Sequence, residues 1–404
     1  MNTKMNLSTT TRRPSSWRWL VIGLLTLAGL VSVPAARADV SCQASASYPA
    51  VENTVTLAGS FYAGNDLPNG TLLYQVNLTN GPSVGLHCSG DYSGIPFMNK
   101  VRDEPMGPPA SLPVNGLTGS GYVYPTNING VGVVFWAYWQ GNNSFSADQP
   151  VENGGDFSGN TTTDNGKGFV IRMGLVKTGF IASGSDVLGS SLPTVIAYAD
   201  ATPGYTGLPL TLATLHLQGD IHFITSTCQT PDVTVPMGTY EITKYFRGVG
   251  STTPWVDASI QLQNCPTFTG FYGNYSNPNS GQNASGSTTP SGGTLTANLL
   301  KVSLQPATDI VDSASGVLKV NANGSSGSPA TGVGIQLGYT PDNINASPTA
   351  PTAVWKEGDT WSVTPPNDGT ANFRIPLAAR YYQYDKAVTP GPANAQVTFV
   401  IDYN

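Results

Sequence analysis

The last ten residues, Ala395-Gln-Val-Thr-Phe-Val-Ile-Asp-Tyr-Asn404, decide the fold of this chain. Apolar and polar side chains alternate along them, which is the two-residue period of a β-strand with one buried face. The apolar face carries Val397, Phe399, Ile401 and Tyr403. Because this strand ends the chain, we expect it to lie beside a groove that no later segment fills, and to pair there with a strand from another molecule.

Composition predicts an all-β protein. Only 10% of the 404 residues are charged, whereas an average soluble domain has about 25%. Asn-Gly and Asp-Gly pairs, which favour tight hairpin turns, recur from Asn69-Gly70 to Asp368-Gly369. The chain is too long for one ordinary β-sandwich and long enough for two.

The first 38 residues have the pattern of a signal peptide. A basic region ending at Arg18 precedes an apolar run from Leu20 to Val33, which is too short to span a bilayer, and Ala36-Arg37-Ala38 is a small-residue cleavage site. Removing residues 1–38 leaves 13 Lys and Arg against 24 Asp and Glu, a net charge near −11. That charge argues against nucleic acid and against anionic membrane surfaces as partners.

Four cysteines remain in the exported part, and export favours disulfide formation. None of them has the Cys-x-x-Cys spacing of a structural zinc site, so we expect no metal. Four cysteines allow three pairings. They fall as one pair in each half, so Cys42–Cys88 and Cys228–Cys265 are the bridges that fit a two-domain chain.

The strand-like runs divide into a first domain of residues 39–224 and a second domain of residues 225–404. The boundary is open at this stage, because Leu210–Thr225 is itself strand-like and fits the end of one domain or the start of the other. Tyr272–Gly293 is rich in Asn, Ser, Gly and Pro, which predicts a long exposed loop inside the second domain.

The densest aromatic stretch is Val133-Val-Phe-Trp136-Ala-Tyr138-Trp139. On a strand, Trp136 and Tyr138 share one face, and an exposed aromatic face offers a stacking platform for sugar rings. The competing interpretation, which we favour, is that both faces are buried between two sheets, as Trp and Tyr often are.

No sequence pattern marks a catalytic centre. There is no Gly-x-Ser-x-Gly nucleophile elbow. His216 and His222 fall on one strand face with no third ligand for a metal, which favours structural roles. We therefore expect no enzymatic activity and no cofactor. A secreted β-sandwich glycoside hydrolase is the weaker alternative, because its carboxylate pair has few acidic residues to draw on.

The second half resembles the pilin subunits of chaperone–usher fimbriae. The matching segments, in chain order, are Leu217-Gln-Gly-Asp-Ile-His-Phe, Ile260-Gln-Leu-Gln-Asn-Cys265-Pro, Val333-Gly-Ile-Gln-Leu337, Ile375-Pro-Leu-Ala-Ala-Arg380-Tyr-Tyr, and the final strand with its penultimate Tyr403. The resemblance implies an immunoglobulin-like sandwich that lacks its last strand. In that family a periplasmic chaperone fills the groove first, and a neighbouring subunit's extension then replaces it.

The first half modifies that expectation. Only Asp39-Val40-Ser41 precede Cys42, where pilins of the family carry a donor extension, and a whole further domain follows. The chain thus resembles a two-domain tip adhesin of the type 1 fimbrial kind, with two immunoglobulin-like domains. The resemblance implies passage through the periplasm, assembly by an outer-membrane usher, a place at the fimbrial tip, and a host or surface glycan as receptor. A non-adhesive tip cap or initiator is the alternative.

The same resemblance suggests receptor-binding residues. Cys88-Ser-Gly-Asp91-Tyr92 matches the Cys-x-x-Asp-Tyr of type 1 adhesins, in which the Asp binds mannose hydroxyls and the Tyr walls the pocket. The resemblance implies a site at Asp91 and Tyr92, and the aromatic stretch described above gives Trp136 and Tyr138 as a second candidate surface. Gly90 stands where that family has Asn, so we expect a ligand other than simple mannose.

Overall fold

The computed structural model describes residues 39–79, 83–137, 140–271, 287–288 and 295–404. Residues 39–404 form one compact unit. The helical segments in the described ranges are a 3-10 turn, Gly189–Ser191, and one α-helix, α1 (Ile242–Tyr245). No helix there is long and apolar enough to cross a membrane. The predicted signal peptide and nearly all of the predicted loop Tyr272–Gly293 lie outside the described residues.

The described residues of the first half contain eighteen strands. They are β1 (Val40–Ala44), β2 (Val51–Leu57), β3 (Ser60–Tyr62), β4 (Leu72–Thr79), β5 (Val84–Cys88), β6 (Tyr92–Ile95), β7 (Phe97–Asp103), β8 (Ala110–Pro113), β9 (Ser120–Pro125), β10 (Val131–Ala137), β11 (Val151–Glu152), β12 (Phe157–Gly159), β13 (Gly166–Lys167), β14 (Val170–Lys177), β15 (Ser185–Leu188), β16 (Thr194–Ala199), β17 (Tyr205–Thr206) and β18 (Leu210–Ile224).

Twelve more strands follow among the described residues. They are β19 (Val256–Asp257), β20 (Ile260–Leu262), β21 (Ser287–Thr288), β22 (Leu300–Pro306), β23 (Ile310–Asp312), β24 (Val317–Lys319), β25 (Val333–Tyr339), β26 (Ala353–Val354), β27 (Thr360–Val363), β28 (Phe373–Ile375), β29 (Leu377–Gln383) and β30 (Val397–Tyr403). The prediction of an all-β chain is confirmed.

Two sheets enclose the core of the first half. One has the strand order β4-β14-β10-β9-β8, and the other contains the run β11-β7-β16-β18-β2. Inward residues of both, such as Phe135, Met173, Val101 and Leu215, belong to one buried cluster. A smaller strip with the order β13-β5-β1-β17 carries the Cys42–Cys88 bridge. Turn signals lie where expected: Gly130 has φ 82° in the turn that joins β9 to β10.

The strand-like run at residues 210–225 forms strand β18, and the partners of β18 show which half it pairs with. It pairs with β16 and β15 on one side and with β2 and β3 on the other, all in the first half. The position of the domain boundary after residue 224 remains a prediction.

The described part of the second half is also a sandwich, with two larger sheets and the two-stranded sheet β20-β28. Strands β19-β29-β25-β24-β23 form one sheet, with β26 attached to β25, and β27-β22-β30 form the other. Val302 and Leu304 from one sheet share a buried cluster with Ile335 and Leu337 from the other. The Cys228–Cys265 bridge lies in the same cluster. Both predicted disulfide pairings are therefore confirmed.

Candidate strand-accepting site

Strand β30 has a hydrogen-bonded edge and a free edge. Its neighbour is β22, and just beyond the pairing Asn404 and Leu299 exchange both backbone hydrogen bonds, at 2.7 and 2.9 Å. Bonded and non-bonded positions alternate along an antiparallel pair, so the backbone groups of Val397, Phe399 and Ile401 point away from β22. Within the described part of the chain, no strand pairs with that second edge.

The side chains of β30 follow the predicted alternation. Val397, Phe399 and Ile401 are half-buried against the core of the second half, and Tyr403 is buried in that core. Thr398 is exposed on the opposite face. The strand thus combines unpaired backbone groups with a partly covered apolar face.

A second segment lies beside this strand. In residues 229–240 the side chains of Val235, Met237 and Tyr240 are half-buried against the same core, and exposed residues alternate with them. Residues 230–240 form no backbone hydrogen bond with any other described residue. The groove residues predicted from the sequence did not include this segment, although the two-residue alternation through Val233, Val235 and Met237 is visible in the sequence.

The two segments run in opposite directions along a common groove. At one end the backbone N–H of Cys228 donates to the Tyr403 hydroxyl at 3.1 Å. At the other end the Tyr240 ring meets the Tyr381 ring edge-on at 5.9 Å, and the Tyr381 hydroxyl donates to the Ala393 carbonyl at 3.0 Å. We call the surface between β30 and residues 229–240 the acceptor groove.

A cavity of about 310 Å³ opens at the Tyr240 end of the acceptor groove. Tyr240, Phe246, Tyr381 and Val388 contribute to its lining, together with the Pro390–Asn394 loop that leads into β30. Burial raises the pKa of both Tyr381 and Tyr403 above the ordinary tyrosine value. The groove therefore presents apolar surface and neutral hydroxyls, which suits an uncharged, apolar side chain.

The predicted receptor-binding residues of the first half differ in their exposure to solvent. Asp91 is exposed and lies immediately before β6. Tyr92 is only 3% exposed, and its hydroxyl donates to the Leu86 carbonyl at 2.9 Å inside the core. A tyrosine held in that way has no face left for a ligand, so the expectation that Tyr92 walls a pocket is wrong for this structure.

Trp136 is also buried, with no exposed surface. It lies on the outer face of the β10 sheet, where the β8–β9 hairpin covers it with Val114 and Val123. Phe135 is buried on the inner face. The favoured interpretation, that both faces of this strand are covered, is correct for these residues, and Trp136 offers no stacking platform. Tyr138 lies outside the described residues.

Asp91 lies at the end of the first half that is remote from the second half. Phe97 in β7 pairs with Ala199, and Ala199 pairs with Leu210 at the start of β18. The other end of β18, near Ile224, is where the first half contacts the second. The loop that carries Asp91 precedes Phe97 and is therefore about one strand length away from that contact.

Each of the three histidines of the chain lies beside a carboxylate. His87 Nδ1 is 2.9 Å from Asp164, His216 Nε2 is 3.1 Å from Glu52, and His222 Nδ1 is 2.7 Å from Asp186. The Ser45 hydroxyl donates to Asp164 at 2.5 Å and, together with His87, lowers the pKa of that carboxyl. Among the described residues no three metal-ligating side chains come together.

The fold and the groove define a class of structure, a β-sandwich in which one edge of β30 pairs with no described strand and borders an apolar groove. Residues 215–404 match the family model described as fimbrial protein. The C-terminal region of this chain is therefore a fimbrial domain, and the resemblance to pilins is confirmed for it. No curated protein matches this sequence.

Three solved structures illustrate what the chain is similar to. The CupB6 tip adhesin from Pseudomonas aeruginosa is 13% identical, with 89% of this chain and 94% of that one covered and a TM-score of 0.30. The receptor binding domain of the adhesin MrkD1P of Klebsiella pneumoniae is 20% identical, with 46% and 98% covered and a TM-score of 0.27.

The third is the CsuC–CsuE chaperone–tip adhesion subunit complex from the Csu pili of Acinetobacter baumannii. It is 12% identical, with 89% of this chain and 99% of that one covered and a TM-score of 0.24. The family match covers residues 215–404.

Proposed function

We propose that this protein is a fimbrial tip adhesin that docks to its fibre by accepting a donor strand in the acceptor groove. The observation that carries the proposal is the edge of β30 that pairs with no described strand. The apolar face of β30 is half-buried, and across the groove residues 230–240 form no backbone hydrogen bond with any other described residue. A strand inserted between them would satisfy both rows of backbone groups and cover both apolar rows.

The size of the groove makes such docking energetically significant. A donor that buries about four apolar side chains gains roughly 6–12 kcal/mol as an upper estimate. That is comparable with the net stability of a whole domain, about 5–15 kcal/mol. The chain should therefore need a periplasmic chaperone in the groove before an outer-membrane usher exchanges it for the neighbouring subunit.

Co-expression tests this docking mode. The mature chain, residues 39–404, is produced in the periplasm of its own host with and without that host's fimbrial chaperone. We expect a soluble one-to-one complex with the chaperone and aggregation without it. A soluble, monomeric chain in the absence of any chaperone or donor would contradict the mechanism.

We place receptor binding in the first half, at the remote end that carries Asp91. An exposed aspartate can accept two sugar hydroxyls, and surface loops on a rigid sandwich commonly carry recognition. A glycan array probed with the mature chain tests this assignment. We expect binding to a defined set of glycans, and no catalytic turnover of them.

One observation favours the alternative of a non-adhesive cap. Two of the four candidate receptor residues, Tyr92 and Trp136, are buried. A cap would share the acceptor groove and fail to retain cells on any surface. A mutant strain that lacks this chain separates the two functions, because loss of an adhesin abolishes adhesion by assembled fibres, whereas loss of a cap reduces only their number or length.

A further inference from the structure

The two halves exchange core residues where they meet. Tyr62, from β3 of the first half, is fully buried in the core of the second half, with its ring 4.7 Å from that of Phe268. Phe271, from the second half, is buried in the core of the first. Neither core is complete without a side chain from the other half.

Hydrogen bonds hold Tyr62 on three sides. Its backbone N–H donates to the Thr269 hydroxyl at 2.8 Å, and its own hydroxyl donates to the Ser226 carbonyl at 3.2 Å. Its carbonyl accepts from the Asn298 side chain at 3.4 Å. All three partners belong to the second half or to its first residues, so Tyr62 behaves as one of that half's own core residues.

The residues after Tyr62 hold the end of β30. Asp66 Oδ2 accepts a hydrogen bond from the backbone N–H of Tyr403 at 2.8 Å. That N–H faces the free edge of β30, as the alternation along the strand requires. Gly64 packs against the Tyr403 carbonyl so closely that a Cβ at residue 64 would overlap it. Asp66 of the first half thus bonds to the last backbone N–H on the free edge of β30.

We propose that residues 61–66 are a latch that makes the two halves fold and unfold as one cooperative unit. The latch supplies a core residue to the second half and bonds to the end of the strand that borders the acceptor groove. Opening it would expose Tyr62 and Phe271 and leave the Asp66 carboxylate and the Tyr403 amide without each other. The proposal does not depend on what the protein binds.

Substituting Gly64 tests the latch. Gly64→Ala adds one methyl group, and its obstacle is the backbone of Tyr403. Gly168→Ala is the matched control, because a Cβ there meets nothing within 4 Å. Neither glycine has a positive φ, so alanine is conformationally acceptable at both positions.

The readout is hydrogen exchange, measured by mass spectrometry on residues 39–404 at low protein concentration. We expect Gly64→Ala to speed exchange about tenfold or more in peptides that cover 397–404 and 225–230, because local opening exposes backbone amides. Gly168→Ala should leave those peptides unchanged. A folded Gly64→Ala chain with wild-type exchange at 397–404 would overturn the proposal.

A second pair of variants keeps the test informative if Gly64→Ala does not fold. Asp66→Ala removes the acceptor for the Tyr403 amide, whereas Asp66→Asn keeps a side-chain oxygen in place. We expect faster exchange at 397–404 in Asp66→Ala and near wild-type exchange in Asp66→Asn. Two well-separated thermal transitions in the wild-type chain, or equal exchange in both Asp66 variants and the wild type, would show that the halves unfold independently.

Discussion

At the scale of single residues, burial decides which side chains are available to bind a ligand. Asp91 and Tyr92 are neighbours in sequence, yet Asp91 is exposed and Tyr92 donates to the Leu86 carbonyl inside the core. Asp91 lies in the loop before β6, whereas Tyr92 is the first residue of that strand and is buried. Only Asp91 of this pair is available to a receptor.

Replacing Asp91 tests the receptor site. Asp91→Ala removes hydrogen bonds to a bound ligand and should weaken affinity by about 1–3 kcal/mol. The matched control is Asp220→Ala, an exposed aspartate near the opposite end of the first half. Affinity for the best glycan-array ligand provides the measurement. If the two variants bind equally well, with unchanged circular dichroism, the site lies elsewhere in the first half.

A second residue-scale prediction concerns pH. The Ser45 hydroxyl, followed by His87, holds the pKa of Asp164 below its ordinary value of 3.8. A lowered carboxyl pKa stabilises the fold above that ordinary value, and the contribution is lost as pH falls through the lowered pKa. Ser45→Ala raises that pKa again. Its deficit in stability should therefore be larger near neutral pH than in strong acid.

Urea unfolding at about pH 6 and about pH 3 measures this difference. Ser45 also accepts hydrogen bonds from the amides of Ser47 and Tyr48, so part of the deficit is independent of pH. Ser185→Ala is the control, because the Ser185 hydroxyl donates its hydrogen bond to the Ala182 carbonyl. An equal deficit for Ser45→Ala at both pH values would show that Asp164 is not the group involved.

At the scale of elements, β30 has different requirements on its two faces. Phe399 packs toward the core beside the acceptor groove, whereas Thr398 is exposed. Phe399→Asp would place an unpaired charge in the groove where we propose that a donor strand is buried, and burying such a charge is very costly. We expect this variant to be absent from fibres, and Thr398→Asp to be incorporated.

Immunogold electron microscopy of assembled fibres measures incorporation. The periplasmic level of each variant should be measured in parallel, since a misfolded chain is also absent from fibres. Fibres that carry Phe399→Asp at the wild-type frequency would contradict strand acceptance at β30.

At the scale of the whole molecule, one disulfide closes a loop in each half. Cys42–Cys88 spans 46 residues and Cys228–Cys265 spans 37. Loops of these lengths are each worth about 4 kcal/mol when the disulfide acts by restricting the unfolded chain. Replacing either pair by serine should lower stability by a similar amount.

Urea midpoints of the two double Cys→Ser variants check this, and the latch adds a further expectation. If the halves unfold as one unit, loss of either bridge shifts a single transition seen by fluorescence in both halves. A loss confined to one half, with the other half unchanged, would contradict both the cooperative unit and the latch.

The sequence by itself determined the class of the protein. The period-2 pattern of 397–403, the turn signals and the pairing of cysteines within each half depend on local chemistry, and all of them reappear in the structure. The strand-like run at 210–225 was visible in the sequence too, but the sequence did not show to which half it belongs. Hydrogen-bond partners far away in the chain decide that.

The tertiary structure alone decided which side chains are exposed to solvent and which distant residues are in contact. Trp136 and Tyr92 were candidates because sequence records residue type, whereas burial depends on the hairpin or sheet that packs over them. The contacts of Cys228 and of Asp66 with Tyr403 join positions more than 150 residues apart. No local pattern encodes such contacts, because they arise only when both sandwiches have folded and their surfaces come together.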